Sequence, residues 1–269
     1  MTFSIAARSA DGTQFGVAVA SKFLAVGTAV PAAAANVGAV ATQSFANLAY
    51  RPDGLLMLAA GKSAVETLHN LTAADDLRAQ RQAGIVGIAG DGATFTGDEC
   101  HPWAGGRVGD GYAIQGNILV GEQVVVSMES AWLASDGLPL ADRLLAALRA
   151  GDDAGGDKRG RQSAALLVVT PGGGYGGGSD VLIDLRVDDH LDPCGELARL
   201  RELHELYFGS TVEWLALEGD LAVEVAALLA SVGHPTLESW MGTENYEERH
   251  VPGGIDVLVL QKLREAGQG

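Results

Sequence analysis

Between Thr2 and Thr42 four short apolar segments follow one another with too few residues between them for a crossover helix. A parallel pair needs a connection of about a dozen residues or more, so neighbouring strands here must run antiparallel. The first segment, residues 2–8, places Phe3, Ile5 and Ala7 on one face and Ser4, Ala6 and Arg8 on the other. That is the period of a strand with one buried side. Ser9 to Thr13 reads as a turn, and Gln14 to Ala20 repeats the alternation through Phe15, Val17 and Val19. The third and fourth segments lie around 27–30 and 37–42, with Pro31 and the following alanines as a connector. The opening hairpin should hold Thr2 at the edge of a rigid sheet.

Further along, strands and helices alternate in blocks. Pro52 suits the first turn of a helix to about Ala60, and Ser63 with Glu66 three residues on makes a capping box for a second. A third, shorter helix is expected from Ala73 to Gln80. Residues 85–89 and 93–96 form a hairpin about Gly90-Asp91-Gly92, and 112–115 is a strand after a glycine-rich loop from Cys100 to Gly111. Helices are expected over 122–134 and 138–149, the second carrying Leu138, Ala141, Leu144, Leu145 and Leu148 at helical spacing. Apolar strands follow at 163–170 and 181–187, then a helix from Leu191 to Phe208. This order predicts an α/β (α+β) fold: two central antiparallel sheets with helices outside them, a four-layer αββα sandwich. A dinucleotide-binding fold is excluded, because the first turn lacks Gly-x-Gly-x-x-Gly and the strands come in pairs. From about Ser210 the composition changes, and 221–231 and 257–265 read as short helices. The expected division is therefore a main domain over 1–209 and a small helical extension over 210–269.

Acidic residues number 34 against 18 Lys plus Arg, a formal charge of −16. Such a surface repels nucleic acid and anionic lipid, so neither is an expected partner. Two cysteines make no disulfide framework, and no run of 18 apolar residues occurs. With no signal segment before Thr2, a cytoplasmic location is expected. There an aminopeptidase would remove Met1 and leave Thr2 with a free α-amine beside its hydroxyl. An N-terminal threonine can be its own nucleophile and base, since the amine's reference pKa is about 7.7–8.0.

Four features could complete such a site. Lys22 follows the strand that pairs with the one bearing Thr2. Gln115-Gly116-Asn117 ends a strand with a glycine beside an amide, a composition suited to an oxyanion hole. The run from Asp157 to Ser163 concentrates Lys158, Arg159 and Arg161 and could bind a substrate carboxylate or phosphate. On the strand 181–187 and its continuation, Asp184, Arg186 and Asp188 share one face. Paired charges on a largely buried strand are costly unless matched, so these are expected to line a pocket or an interface. Each feature also has a purely structural reading: an exposed strand-end lysine, an ordinary turn, a solvated loop with internal salt bridges, and polarity that belongs to the nearby Asp192-Pro193 turn. Asp188, Asp189, His190 and Cys194 lack a zinc-site spacing, and no metal or cofactor is expected. Cys100 and His101 match a thiol catalytic pair in composition only.

Several of these motifs together resemble the DUF1028 family: Thr2-Phe3-Ser4-Ile5, Gly16-Val17-Ala18-Val19 with Ser21-Lys22-Phe23, and the run from Gly38 to Gln43. So do Gln115-Gly116-Asn117, the run from Gly160 to Ala164, and the run from Asp184 to His190. The resemblance covers residues 2 to about 208. It implies a fold like that of the N-terminal nucleophile (Ntn) hydrolases, αββα sandwiches that mostly cleave amide bonds. It also implies Thr2 as nucleophile, Lys22 tuning it and Asn117 with backbone N–H groups at the oxyanion. Gln43, Gln115, Arg159, Arg161, Asp184, Arg186 and Asp188 would then face the substrate. The segment from Leu237 to Asp256 resembles an extension described in some members as peptidoglycan-binding-like. The expected function is amide hydrolysis of a small carboxylate-bearing substrate, with a homo-oligomer as the expected assembly. The rival readings are a non-catalytic module holding a small anionic metabolite and a structural or assembly protein.

Overall fold

The computed structural model describes residues 2–268. In chain order its strands and helices are β1 (Thr2–Arg8), β2 (Phe15–Ser21), β3 (Pro31–Ala34), β4 (Gly38–Ser44), α1 (Tyr50–Ala59), α2 (Ala64–Ala73), β5 (Arg81–Gly87), β6 (Gly92–Thr96), β7 (Gly105–Gly109), β8 (Tyr112–Asn117), α3 (Gln123–Ala134), α4 (Leu140–Asp153), β9 (Ser163–Val169), β10 (Val181–Val187), α5 (Pro193–Phe208), β11 (Trp214–Ala216), α6 (Gly219–Ser231), α7 (Leu237–Glu244), β12 (Gly254–Asp256) and α8 (Val257–Ala266). The chain divides into two compact units, one up to Ala198 and the other from Arg199 onward. The division falls inside α5.

The first unit is a mixed α/β structure with two antiparallel sheets. One has six strands in the order β10-β9-β2-β1-β8-β7, the other four in the order β3-β4-β5-β6. Every pairing is antiparallel, as the short connections require. Helices α3 and α4 pack on the six-stranded sheet, α1 and α2 on the four-stranded one, and β1 and β2 contact β4 of the other sheet. Between the sheets sits a core of Ala6, Phe15, Val17, Ala41, Val86 and their neighbours.

This stacking corrects the reading of the first strand. Ser4 and Ala6 are as buried as Phe3 and Ile5, because α4 covers one face and the second sheet the other. Nor is Thr2 at a sheet edge: β1 lies between β2 and β8, and Thr2 is the first residue of an interior strand. The expected strand near residue 27 is instead a 3-10 turn, Val26–Thr28, and the supposed connector Pro31–Ala34 is β3 itself. Pro31 can begin a strand because it opens one at the sheet's margin. The glycine-rich loop contains β7, and the third expected helix shrinks to the 3-10 turn Arg78–Gln80. The Ser63–Glu66 capping box forms as expected, with both of its reciprocal bonds.

The second unit has its own apolar core, in which Leu229, Trp240, Tyr246, Ile255, Val259 and Leu263 pack together. It is not purely helical: β11 and β12 form a two-stranded ribbon, and α7 was not anticipated. Arg249 is almost fully buried, donating to Asp256 at 2.9 Å and to the Leu206 carbonyl at 2.7 Å. Among the described residues no helix is long and apolar enough to cross a membrane.

Candidate functional site

The hairpin that pairs Phe3 with Ala20 brings Thr2 beside Ser21, and their hydroxyl oxygens lie 3.1 Å apart. On its other side Thr2 pairs with Asn117 at the end of β8. The ends of these three strands, together with the end of β4, border a cavity of about 700 Å³. Thr2, Ser21, Gln43, Asn117 and Arg159 all line it. Thr2 is 6% exposed, so it is largely shielded from bulk solvent while lining this cavity.

A fully buried set of amides supports the cavity floor between the two sheets. Gln43 Nε2 donates to the Thr2 carbonyl at 3.2 Å and to Gln82 Oε1 at 2.8 Å. Asn117 Nδ2 donates to the same Gln82 oxygen at 2.9 Å. Gln82 Nε2 in turn donates to the Gly116 carbonyl at 2.7 Å and to Thr96 Oγ1 at 2.9 Å. Ser4 Oγ donates to Gln43 Oε1, and Gln115 Nε2 donates to Ser4 Oγ. Because each amide is fixed by the next, Gln43 and Asn117 hold one orientation around Thr2. Among the described residues, Asn117 Oδ1 and Gln115 Oε1 have no donor. A buried acceptor without a partner is uncommon enough to require a reason. Gln115 is itself fully buried in this set and does not line the cavity, so it supports the site rather than facing a ligand.

Backbone strain gathers at the same place. Among residues other than glycine, Ser44 (φ 71°) and Ile118 (φ 50°) are left-handed and both line the cavity, and Ala25 (φ 53°) immediately precedes the lining residue Val26. For a β-branched residue such as Ile118 that conformation is a genuine outlier. Strain of this kind persists where the surrounding structure over-determines it, and it clusters at functional sites.

The cations divide sharply. Arg159 lines the cavity and is held by Asp157, which also accepts the backbone N–H groups of Lys22 at 2.7 Å and Arg159 at 2.9 Å. Arg81 lines it too, and it donates through Nε to the buried Asp75 at 2.9 Å. Arg161 lies instead on a second cavity of about 330 Å³, paired with Asp152; Ser21 lines both cavities. Lys22 is exposed, lines neither cavity, and turns Nζ to the Arg161 carbonyl at 3.3 Å. Asp184, Arg186 and Asp188 are brought to neither. Strand β10 is an edge strand whose charged face is exposed to solvent, and Arg186 binds Asp184 through two 2.8 Å hydrogen bonds. The expectation that they line a pocket took the strand to be buried on both faces.

Among the described residues no group of three or more His, Cys, Asp or Glu could hold a metal ion. Cys194 is buried, and burial pushes its thiol above the ordinary range, which disfavours the thiolate form. His101 lines the cavity, while the Cys100 sulfur is turned to the Arg81 carbonyl and the Ser44 hydroxyl.

Ser21, Gln82 and the aromatic residues Phe23 and Phe45 were missed as site residues in the sequence, and Asp157 entered only as the first residue of the cationic run 157–163. For Ser21 a signal existed: in an antiparallel hairpin the register that pairs residue 3 with 20 carries 2 to 21. Phe23 and Phe45 each lie two residues past a residue of the site, Ser21 and Gln43, whereas Gln82 comes from a separate segment and has no local signature.

The fold and site thus define a mixed α/β protein with a threonine–serine hydroxyl pair buried at the end of an interior strand, facing a half-apolar cavity. A family profile described as "Family of unknown function (DUF1028)" matches residues 2–197, and the chain belongs to that family. Among solved structures it is similar to protein SPO2555 from Silicibacter pomeroyi, itself assigned to DUF1028. The two are 31% identical with a TM-score of 0.68, covering 83% of this chain and 92% of that one. Anbu, an ancestral β-subunit from Yersinia bercovieri, aligns with 13% identity and a TM-score of 0.34 over 74% of this chain and 91% of that one, too distant to bear on the argument. No curated protein matches.

Proposed function

We propose that this chain is an amide hydrolase of the Ntn type, with its two sheets and outer helices forming an αββα sandwich and Thr2 as nucleophile. The observation that carries the reading is the position of Thr2, a buried hydroxyl at the start of an interior strand that faces the large cavity. Removal of Met1 would free its α-amine. Near neutrality a minor fraction of that amine is uncharged, and in that form it can take the hydroxyl proton, directly or through water. The Thr2 oxygen then adds to the amide carbon, and the proton passes to the departing nitrogen as the C–N bond breaks. Water adds to the resulting ester and releases a carboxylate, restoring the hydroxyl.

Asn117 Nδ2 carries two N–H bonds and gives one to Gln82, leaving the other for the tetrahedral oxyanion. Its unpartnered Oδ1 would accept from the freed amine or from the substrate's N–H. Ser21 holds the Thr2 hydroxyl at 3.1 Å and takes the tuning position that the sequence suggested for Lys22. Of the candidate arginines, Arg159 is the one placed to attract a substrate carboxylate at this cavity.

Two measurements test the proposal. Intact mass should show the purified protein lacking Met1. Incubation with small amides and acylamino acids should show turnover by the wild type that falls at least about a thousandfold in Thr2→Ala, with the circular dichroism spectrum unchanged. Retention of Met1, or equal turnover by the two proteins, removes Thr2 as nucleophile.

A further inference from the structure

The cavity at Thr2 has a second character that the hydrolytic reading does not use. Phe23, Val26, Val30, Phe45, Leu48 and Ile118 supply an apolar wall next to the hydroxyl pair. Phe23 and Phe45 are 54% and 61% exposed, and Leu48 is 48% exposed. Exposed apolar side chains that occur singly need no explanation, but a group of them rimming one cavity marks a binding surface. Their backbones are fixed. The Phe23 carbonyl accepts from Ser163 Oγ, and the Phe45 carbonyl accepts from Arg81 Nη1 while the Phe45 N–H binds the Gln80 carbonyl. The strained Ala25 and Ser44 sit two residues after Phe23 and one before Phe45, so the turns that present both rings are over-determined by the fold. Apolar groups held open to water on a fixed frame are pre-organised for a ligand, which then loses little entropy on binding.

The size and shape favour a small molecule. About 700 Å³ lies within the range of ligand pockets, and the combination of an apolar wall with a few convergent polar groups is their usual composition. The adjoining cavity of about 330 Å³ is smaller and mixes Phe3, Leu191 and Pro193 with Asp152, Asp157 and Arg161. The pair of exposed aromatic rings is on the side on which Thr2 lies.

We infer that the substrate is a small amide bearing a bulky apolar substituent, aromatic or branched aliphatic, of the class of N-acyl amino acids, with that substituent seated against Phe23, Phe45 and Leu48. The inference rests on Thr2 as the reacting residue only for the orientation of the scissile bond. The apolar contact itself is separately measurable.

The test uses full-length Thr2→Ala protein in isothermal titration with N-phenylacetylglycine, N-acetylphenylalanine and N-acetylglycine. At least one aromatic probe should bind about tenfold or more tightly than N-acetylglycine. Phe23→Ala and Phe45→Ala, each added to that background, should remove most of the preference; both rings are exposed, so neither change threatens the fold. Equal affinity for all three probes, no binding of any, or a preference that survives both substitutions overturns the inference. So does a change of oligomeric state in the Phe variants without a change in probe affinity, which would make the rim a protein contact. The two proposals fail separately. Thr2-dependent turnover that treats acetyl and phenylacetyl amides alike defeats the apolar class and keeps the hydrolase. Tight aromatic binding with no turnover by the wild type does the reverse.

Discussion

Among the aspartate–arginine pairs of the first unit two stand in contrast, and the one with the better hydrogen-bond geometry has the weaker claim to importance. Arg186 grips Asp184 through two 2.8 Å bonds, but the side chains are 41% and 37% exposed on an edge strand. Arg81 reaches Asp75 through Nε at 2.9 Å, and the side chains are 12% and 9% exposed. Water competes for the first pair and screens it, whereas the second is largely shielded from water. Asp75 also accepts from Asn47 at 2.9 Å and from the Tyr50 hydroxyl at 3.0 Å. The Arg81 of this pair then holds the Phe45 carbonyl on the cavity rim. Burial and shared partners, rather than fork geometry, decide which pair matters.

The sharpest way to break that comparison is Asp75→Asn. Removing one partner of a buried pair leaves the other's charge uncompensated, and the loss should be about 2–3 kcal/mol, since asparagine keeps some acceptor capacity. Urea denaturation near pH 7 should show it as a lower midpoint with an unchanged slope. The pH dependence gives a second check. Burial alone would raise the Asp75 pKa, but bonds from Arg81, Asn47, the Leu77 N–H and Tyr50 outweigh it and hold the carboxyl well below its ordinary value. A carboxyl with a depressed folded-state pKa contributes stability in full above its unfolded value of about 3.9 and loses it as the pH falls toward the folded value. The gap between wild type and Asp75→Asn should therefore be widest above about pH 5 and narrow below about pH 4. A constant gap across that range would show that the carboxylate's charge is not what Arg81 responds to.

Asp157 makes an intermediate case. Its side chain is 3% exposed while its partner Arg159 is 46% exposed. Its firmest bonds go to two backbone N–H groups rather than to the guanidinium. Asp157→Ala leaves those donors without their acceptor, at a cost of about 1–2 kcal/mol by urea denaturation. If the loss matched that of Asp75→Asn, the count of buried charge-assisted bonds would outweigh the burial of the partner.

The contrast also shows what the sequence could and could not convey. Alternation and spacing located β1, β2, β4, β8, β9 and β10, because a strand's period and a connection's length are local properties, but not β3 or β7. The same alternation placed Asp184, Arg186 and Asp188 correctly on one face, but it carries no information about sheet order, and β10 is an edge. Asp75 was hidden by an expected helix over 73–80, where the chain instead leaves α2, makes a 3-10 turn and enters β5 at Arg81. Of the residues lining the cavity, Thr2 was singled out from its position in the chain, Asn117 from its place beside a glycine at a strand end, and Gln43 only through the family resemblance. Gln82, which ties Gln43 and Asn117 together across both sheets, was not, since its partners are contributed by stacking rather than by neighbours in sequence.

The smallest effect is expected at the exposed pair, and there the comparison has its most direct test. Asp184→Asn removes the charge while keeping the shape and one acceptor. Exposed pairs contribute about 0.2–1 kcal/mol, so the urea midpoint should move by an amount near the lower end of that range. The residual contribution should shrink further as salt is raised, because the Debye length falls to about 3 Å at 1 M. Turnover and probe binding should match the wild type within about twofold, a difference of no more than about 0.4 kcal/mol, since neither Asp184 nor Arg186 lines either cavity beside Thr2. A loss of stability rivalling that of Asp75→Asn would mean that β10 is covered in the working protein. The edge strand, with its apolar Val181 and its paired charges, would then belong to an interface and could no longer serve as the solvent-exposed reference.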